Sequence, residues 1–220
     1  MLLSLVITDP YFTRFPFSEI IQYTSSSLCL PRIIKAPLKF FNRSNETVYA
    51  IWNTIAGGNS SPILTNEIVD IYYPDNSPDA LFDYYMTTEY TNYGSCSSSY
   101  LSMLITCGEN TGWYLTLDNS FFSLVAFSVG TNTNYPQRDP LTITIEGSNL
   151  YGNELIFGWS WTLIYNGSTG LKYSPGRSTL GVLQTIPYFP IPFANYRVLV
   201  TSKRGIETCT SYTEFMMIGY

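Results

Sequence analysis

Short runs of β-forming residues alternate with turn-forming residues from about residue 66 to the C-terminus. The runs lie at 68–73, 113–117, 122–129, 141–146, 159–164, 196–201 and 212–218. Clusters of Gly, Pro, Asn and Ser separate them, and no segment carries a sustained helical period. Regular spacing of short strands is typical of an antiparallel β-sandwich or jelly roll. The pattern therefore predicts an all-β fold.

Alternation within these runs indicates which faces are buried. The run at 141–146 alternates apolar residues with hydroxyl or charged ones, which predicts one face on a core and one toward solvent. In the run at 159–164 the same period places Trp159, Trp161 and Leu163 on one face, which we predict to be core. The alternative is that Trp159 is an exposed aromatic platform that stacks on a sugar ring.

The N-terminal part of the chain follows a different pattern. Prolines interrupt its apolar β-forming runs, which lie at 2–7, 33–34, 40–41 and 48–51. No turn chemistry closes these runs into hairpins, so we predict an extended, β-rich N-terminal arm over residues 1–65 and a sandwich domain over residues 66–220. Extended apolar strands need a sheet edge, supplied by their own sandwich or by a neighbouring molecule.

Composition narrows the classes of partner. The 220 residues contain 11 Lys+Arg against 16 Asp+Glu, a net charge of −5, and only 12% are charged. With 45% hydrophobic and 16% aromatic residues the chain is expected to fold into one sizeable core. Duplex binding requires clustered cations, and beyond Lys203-Arg204 there is no basic cluster, which argues against nucleic acid as a partner.

Histidine is absent, which removes the most common general base and zinc ligand together with every Ser-His or Cys-His dyad. A carboxylate pair of the glycosidase kind is the catalytic mechanism that remains. No spacing selects a pair among the candidate carboxylates, which are Asp118, Asp139, Glu146, Glu154 and Glu207. We therefore predict that the protein is not an enzyme.

Four cysteines lack the paired spacing of a zinc site, so two disulfides are the better interpretation. Four cysteines allow three connectivities. The short separation of Cys96 and Cys107 favours a local bridge, which leaves Cys29 to pair with Cys209.

Four N-x-Ser/Thr sequons indicate N-linked glycans, at Asn42, Asn45, Asn59 and Asn166. Sequons and disulfides together predict a secreted or cell-surface protein. The N-terminus, however, lacks the basic segment of a signal peptide, and no apolar run is long enough to span a bilayer.

Several segments occur in an order that is similar to a known family. They are QRDPLTITIEGSN at 137–149, WTLI at 161–164, PGR at 175–177, YRVLVTS at 196–202 and EFMMIG at 214–219, preceded by LFD at 81–83, TTEYTNYG at 87–94 and TGWYL at 111–115. Over about residues 66–220 the chain resembles the discoidin-like, coagulation factor type C-like and galactose-binding-like β-sandwich. The resemblance implies a non-enzymatic domain that binds glycans, lipid head groups or proteins through loops at one end.

The resemblance also implies a structural calcium ion, held between the Asp-containing loop and a C-terminal carboxylate. Its ligands carry over to Asp83, Thr88 and Glu214, oxygen donors of the kind that calcium prefers. Tyr84-Tyr85 replace the Gly-containing turn of the family. The segment Arg138-Asp139-Pro140 has two interpretations, an architectural turn or the site of a ligand-binding arginine, and we favour the first.

Two functions follow from these patterns. In the first, the N-terminal arm is donated head-to-tail to the next copy of the protein and builds an extracellular filament or surface layer, with no cofactor required. In the alternative, the chain is a secreted carbohydrate-binding or adhesion module of the discoidin-like type.

Overall fold

The computed structural model describes residues 37–60, 62–63, 74–96, 103–118, 120–187 and 190–220. Within these ranges the chain forms eleven β-strands joined by turns and short 3-10 segments. The strands are β1 (Lys39–Phe40), β2 (Thr47–Ile51), β3 (Pro62–Ile63), β4 (Tyr90–Asn92), β5 (Thr111–Thr116), β6 (Leu124–Thr131), β7 (Pro140–Ser148), β8 (Thr162–Ser168), β9 (Gln184–Thr185), β10 (Asn195–Lys203) and β11 (Thr210–Gly219).

The strands form two antiparallel sheets. One sheet has the order β1-β11-β6-β9, with β4 also paired to β11, and the other has the order β3-β2-β5-β10-β7-β8. The predicted all-β antiparallel sandwich is confirmed. The predicted strand at 68–73 lies outside the described residues. The nearest described strand is β3. Within the described ranges no helix has the length and apolar character needed to cross a membrane.

The core between the sheets is rich in aromatic side chains. Trp113 on β5 is fully buried and meets Phe82 and Phe215 edge-on, with ring centroids 5.1 and 4.9 Å apart. Phe215 on β11 also stacks on Phe127 of β6 at 5.4 Å. Because Trp113 and Phe215 come from opposite sheets, these contacts hold the two layers together.

The boundary of the sandwich differs from the sequence-based prediction. Strand β2 pairs with β5 from Thr47↔Thr116 to Ile51↔Gly112, and β1 pairs with the end of β11. Apolar side chains of β2 are buried in the same molecule, among them Val48. Strands β1 and β2, which precede residue 66 and were assigned to the arm, are therefore part of the two sheets.

The same pairing corrects part of the predicted arm. The run at 48–51 was expected to contact another molecule, but the edge of β5 in its own sandwich accepts it. The runs at 2–7 and 33–34 lie outside the described residues.

One of the two predicted disulfides is present. Cys96 and Cys107 are bonded, with their Cα atoms 5.5 Å apart, which confirms the local bridge. Cys209, the predicted partner of Cys29, is buried next to the start of β11 and has no disulfide partner among the described residues, so the Cys29–Cys209 bridge stays a prediction. Burial raises the pKa of that thiol to about 11. Cys29 lies outside the described residues.

Candidate functional site

An exposed aromatic pair lies in the connection between β7 and β8. This connection contains two short 3-10 segments, Gly152–Ile156 and Gly158–Ser160. Phe157 and Trp159 stack on each other with ring centroids 5.7 Å apart and an interplanar angle of 13°. Their exposed fractions are 42% and 69%, so the two rings form a surface, here called the aromatic platform.

The prediction of a shared core face for Trp159, Trp161 and Leu163 was therefore wrong for two of the three. Trp159 and Leu163 are exposed, whereas Trp161 is 7% exposed. The period of two fails because the backbone forms a 3-10 turn at Gly158–Ser160 and the strand begins only at Thr162. The alternative interpretation, in which Trp159 faces solvent, describes its position correctly.

Trp161 anchors the connection to the outer face of the six-stranded sheet. Its indole Nε1 donates a hydrogen bond to Leu155 O at 3.0 Å, and its ring meets Tyr114 edge-on at 6.1 Å. The guanidinium carbon of Arg197 lies 4.6 Å from its ring centroid. These contacts hold down one end of the connection while Trp159 points away from the sheet.

The connection between β2 and β3 lies directly against the aromatic platform. Asn59 Oδ1 accepts a hydrogen bond from the backbone N–H of Gly158 at 2.9 Å, and Ser60 N–H donates to Ile156 O at 2.7 Å. A Cβ atom at Gly158 would lie 2.0 Å from Gly57 O. Glycine is therefore required between the two platform residues for this close approach.

A buried ion pair fixes this loop to the sheet. Arg197 on β10 and Glu146 on β7 are both buried, with Arg197 Nε 2.7 Å from Glu146 Oε2. The same guanidinium donates to Gly58 O and to Ser60 Oγ, while Glu146 Oε1 accepts the N–H of Gly57 at 2.8 Å. The loop beside the platform is consequently fixed by an ion pair whose two members come from two neighbouring strands.

Three of the five candidate catalytic carboxylates are paired with arginines. Glu146 is the first, and Asp139 is the second, held by both guanidinium nitrogens of Arg177 at 2.8 and 2.7 Å. Glu207 is the third and meets Arg138 at 3.3 Å. These contacts support the architectural reading of Arg138-Asp139-Pro140. Asp118 and Glu154 are exposed.

The structure brings the three predicted calcium ligands together beside β11. Thr88 Oγ1 donates to Asp83 Oδ2 at 2.8 Å, and the backbone N–H of Tyr85 donates to Asp83 Oδ1 at 2.8 Å. Burial and the neighbouring Asp83 carboxyl raise the pKa of Glu214 to about 9, against the backbone N–H groups of Tyr84 and Tyr85, which lower it. Glu214 Oε1 is buried and accepts no hydrogen bond from the described residues.

These features define the chemistry available to a cation. Two carboxyl groups and a hydroxyl form the cluster, and no group of three or more His, Cys, Asp or Glu side chains that could hold a metal ion occurs in the described part of the chain. Hard oxygen donors with an unused buried oxygen atom fit calcium, which accepts further ligands from backbone carbonyls and water.

The turn after Asp83 keeps a backbone shape that favours glycine. Tyr84 has φ of +65°, in the left-handed region. Its hydroxyl lies 3.1 Å from both Phe41 O and Asn42 Oδ1. The tyrosine thus keeps the conformation that a glycine would adopt at lower cost and adds a contact to the segment after β1.

The four sequon asparagines Asn42, Asn45, Asn59 and Asn166 are all exposed, as expected for sites that carry a bulky hydrophilic glycan. Their modification stays a prediction.

Sequence analysis missed Phe157, Arg197 and the contact role of Asn59. One signal was available, because Phe157-Gly158-Trp159 places a glycine between two aromatic residues, where a continuous strand is unfavourable. The Arg197–Glu146 pair had no comparable signal, since both residues lie inside strands whose register the sequence does not specify.

No protein-family model and no curated protein matches this sequence. Solved structures do match. A family 32 carbohydrate-binding module (CBM) of NanJ from Clostridium perfringens, in complex with galactose, is 10% identical with a TM-score of 0.52, covering 82% of this chain and 98% of its own. An F5/8 type C domain from Bacteroides fragilis is 13% identical with a TM-score of 0.53, covering 83% and 96%.

A third structure contains the CBM32-1 and CBM32-2 domains of ZmpB from Clostridium perfringens in complex with GalNAc. It is 12% identical with a TM-score of 0.50, and the match covers 82% of this chain and 36% of that one. At these identities the similarity concerns the fold. The two sheets and these matches show that the chain has the discoidin-like, F5/8 type C β-sandwich fold.

Proposed function

We propose that this protein is a carbohydrate-binding module that binds a glycan on the aromatic platform formed by Phe157 and Trp159. The observation that carries the proposal is the exposed pair of nearly parallel rings on a fixed support. The apolar C–H face of a pyranose stacks on such rings, while hydroxyl groups at its rim reach polar neighbours. The solved structures with the same fold include modules in complex with galactose and GalNAc.

The surroundings of the platform suit an uncharged sugar. Asn59 and the backbone of its loop supply hydrogen-bonding groups beside the rings, and Arg197, the basic side chain that contacts this loop, is buried in its pair with Glu146. A charged ligand would gain little from a site whose ionic groups are already neutralised. The expected ligand class is therefore a neutral hexose or N-acetylhexosamine.

Replacing the more exposed ring tests the proposal. Trp159→Ala should weaken glycan binding at least tenfold, about 1.4 kcal/mol, measured by calorimetry with sugars selected on a glycan array. The matched control is Tyr173→Ala, because Tyr173 is an 80% exposed aromatic residue in the β8–β9 connection. Equal loss in both variants, or none in Trp159→Ala, would overturn the platform as the site.

The cluster of Asp83, Thr88 and Glu214 is proposed to hold a structural calcium ion. The ion would neutralise the two adjacent carboxylates and supply a partner to the buried Oε1 of Glu214. By linking the loop after residue 82 to β11, calcium would stabilise the sandwich.

An extracellular location is part of the proposal and is supported by the Cys96–Cys107 disulfide. Filament assembly through a donated arm is not supported, because β2, which belongs to the predicted arm, pairs with β5 of the same chain. Binding a glycan is thus preferred to self-assembly as the function.

A further inference from the structure

The glycan-binding platform and one predicted glycosylation site lie side by side. Asn59 is the asparagine of the sequon Asn59-Ser60-Ser61, and its side-chain oxygen is bonded to the backbone N–H of Gly158. Gly158 is the residue between Phe157 and Trp159, and consecutive Cα atoms are about 3.8 Å apart. Whatever is attached to Asn59 therefore begins within about one residue of both rings.

We propose that Asn59 carries an N-linked glycan whose first sugars lie on the aromatic platform, so that the protein's own glycan competes with external glycans for this surface. The competition rests on the proposed function, whereas the contact between the Asn59 glycan and the rings does not.

The attachment chemistry leaves the supporting hydrogen bond intact. Transfer from a lipid-pyrophosphate-linked oligosaccharide breaks the bond between the sugar C1 and the pyrophosphate oxygen and forms a bond from C1 to Asn59 Nδ2, which loses one proton. The Gly158 N–H bonds to Oδ1 and not to Nδ2. Oδ1 therefore still accepts this bond in the glycosylated chain and keeps the linkage beside the rings.

Of the four sequon asparagines, Asn59 is the one whose side chain is hydrogen-bonded to the platform turn in the described structure. Asn42 and Asn45 lie in the β1–β2 connection, and Asn42 contacts Tyr84. Asn166 lies within β8, opposite Thr144 of β7, and not in the connection that carries the platform. A glycan at Asn166 consequently serves as a matched control that changes mass and hydration without a known contact to Phe157 or Trp159.

The size of the competition follows from tethering. A short flexible link gives an effective concentration in the millimolar range, and we take the dissociation constant of the tethered sugar for the open rings to be of similar order. The tethered glycan should therefore weaken the apparent affinity for an external sugar by about two- to tenfold.

The experiment compares three forms of the full-length chain secreted from a glycosylating cell line: wild type, Ser61→Ala and Asn166→Gln. Ser61→Ala removes the Asn59 sequon and keeps the Asn59 side chain. Glycopeptide mapping should find Asn59 occupied in wild type. Acrylamide quenching, with Trp159→Ala as the reference for the Trp159 signal, should show this indole shielded in wild type and in Asn166→Gln but accessible in Ser61→Ala.

Calorimetry with the selected sugar should then give a two- to tenfold tighter dissociation constant for Ser61→Ala than for the other two forms. Enzymatic removal of glycans from folded wild-type protein provides the same comparison if Ser61→Ala fails to fold. An unoccupied Asn59, or equal quenching in all forms, would overturn the inference and leave the proposed function standing. Shielding of Trp159 without any sugar binding by Ser61→Ala would overturn the proposed function and the competition, and keep the glycan contact.

Discussion

At the scale of single residues, the carboxyl pair beside β11 gives the stability of the protein a specific pH dependence. The pKa of Glu214 in the folded chain is raised from 4.5 to about 9, by burial and then by Asp83. Between pH 4.5 and about pH 9, Glu214 is therefore protonated in the folded state and ionised in the unfolded state. Without a cation, the contribution of Glu214 to stability is fully present below about pH 4.5 and is lost as the pH rises toward 9.

We expect the melting temperature in EDTA to fall between pH 5 and 8, and calcium to reverse this trend because it binds the ionised pair. At a calcium concentration ten to a hundred times the dissociation constant, the gain is about 1.4 to 2.7 kcal/mol. Glu214→Gln should lose both effects, while Glu154→Gln, at an exposed carboxylate, should keep them. A calcium response that survives in Glu214→Gln would contradict the site. Thermal melts in both buffers across this pH range give the measurement.

The two tryptophans of the β7–β8 connection show what a periodic pattern can and cannot predict for single residues. Trp159 and Trp161 have the spacing of one strand face, yet one is exposed and the other lies under Arg197. The period of two holds only for extended backbone, and Gly158 allows the chain to turn against Gly57. The identity of the exposed ring thus depended on a contact between segments about 100 residues apart, which no local pattern contains.

At the scale of elements, the loop between β2 and β3 depends on the buried Arg197–Glu146 pair. Removing one partner leaves the other charge buried without compensation, so Arg197→Leu should cost about 3 to 5 kcal/mol of unfolding free energy. Replacing both by leucine should recover a large part of this loss, because no charge is then left unpaired. Urea unfolding of wild type, both single variants and the double variant measures the coupling.

The glycan affinity of the double variant separates stability from positioning. Its loop lacks the bonds to Gly57, Gly58 and Ser60, so we expect weaker sugar binding even where the fold is restored. A double variant as unstable as Arg197→Leu would indicate that the hydrogen bonds from the pair to the loop, and not only its charge balance, stabilise the fold.

The disulfide between Cys96 and Cys107 stabilises the connection between β4 and β5. It closes a loop with a sequence separation of 11, for which chain entropy gives about 3 kcal/mol. Replacing both cysteines by serine should lower the free energy of unfolding by about this amount or less. Cys209→Ala is the comparison, since Cys209 is buried and its replacement removes no cross-link between described residues. Equal losses in the two variants would show that the bridge has no effect of its own.

The predicted strands were found where apolar alternation was long, at β5, β6, β7, β10 and β11. Strands β1 and β2 were assigned to an arm because the sequence before them is rich in proline and no hairpin turn follows them. Their partners, β11 and β5, are distant in the sequence. Such pairings depend on which sheet edges remain open after the rest has folded, and that is a property of the assembled sandwich.

At the scale of the whole molecule, the two sheets form a common support for the two proposed sites. The aromatic platform lies on the outer side of the six-stranded sheet, held by β7 and β10. The carboxyl cluster lies beside β11 in the other sheet. Calcium removal should therefore lower stability with a small direct effect on sugar affinity below the melting transition.

Two truncated chains test how much of the N-terminal part the sandwich needs in order to fold. A chain that begins at residue 37 keeps β1, β2 and β3, whereas one that begins at residue 66 loses all three. The second loses the buried side chains of Val48 and Ile51, each about 1.5 to 3 kcal/mol, and leaves the edge of β5 without its partner. Because domains of this size are stable by only about 5 to 15 kcal/mol, we expect the shorter chain to aggregate or remain unfolded. The chain from residue 37 should unfold cooperatively, elute as a monomer and bind the same sugar. Circular dichroism and size-exclusion chromatography with light scattering distinguish the two. A folded monomer from residue 66 would show that the domain folds without β1, β2 and β3.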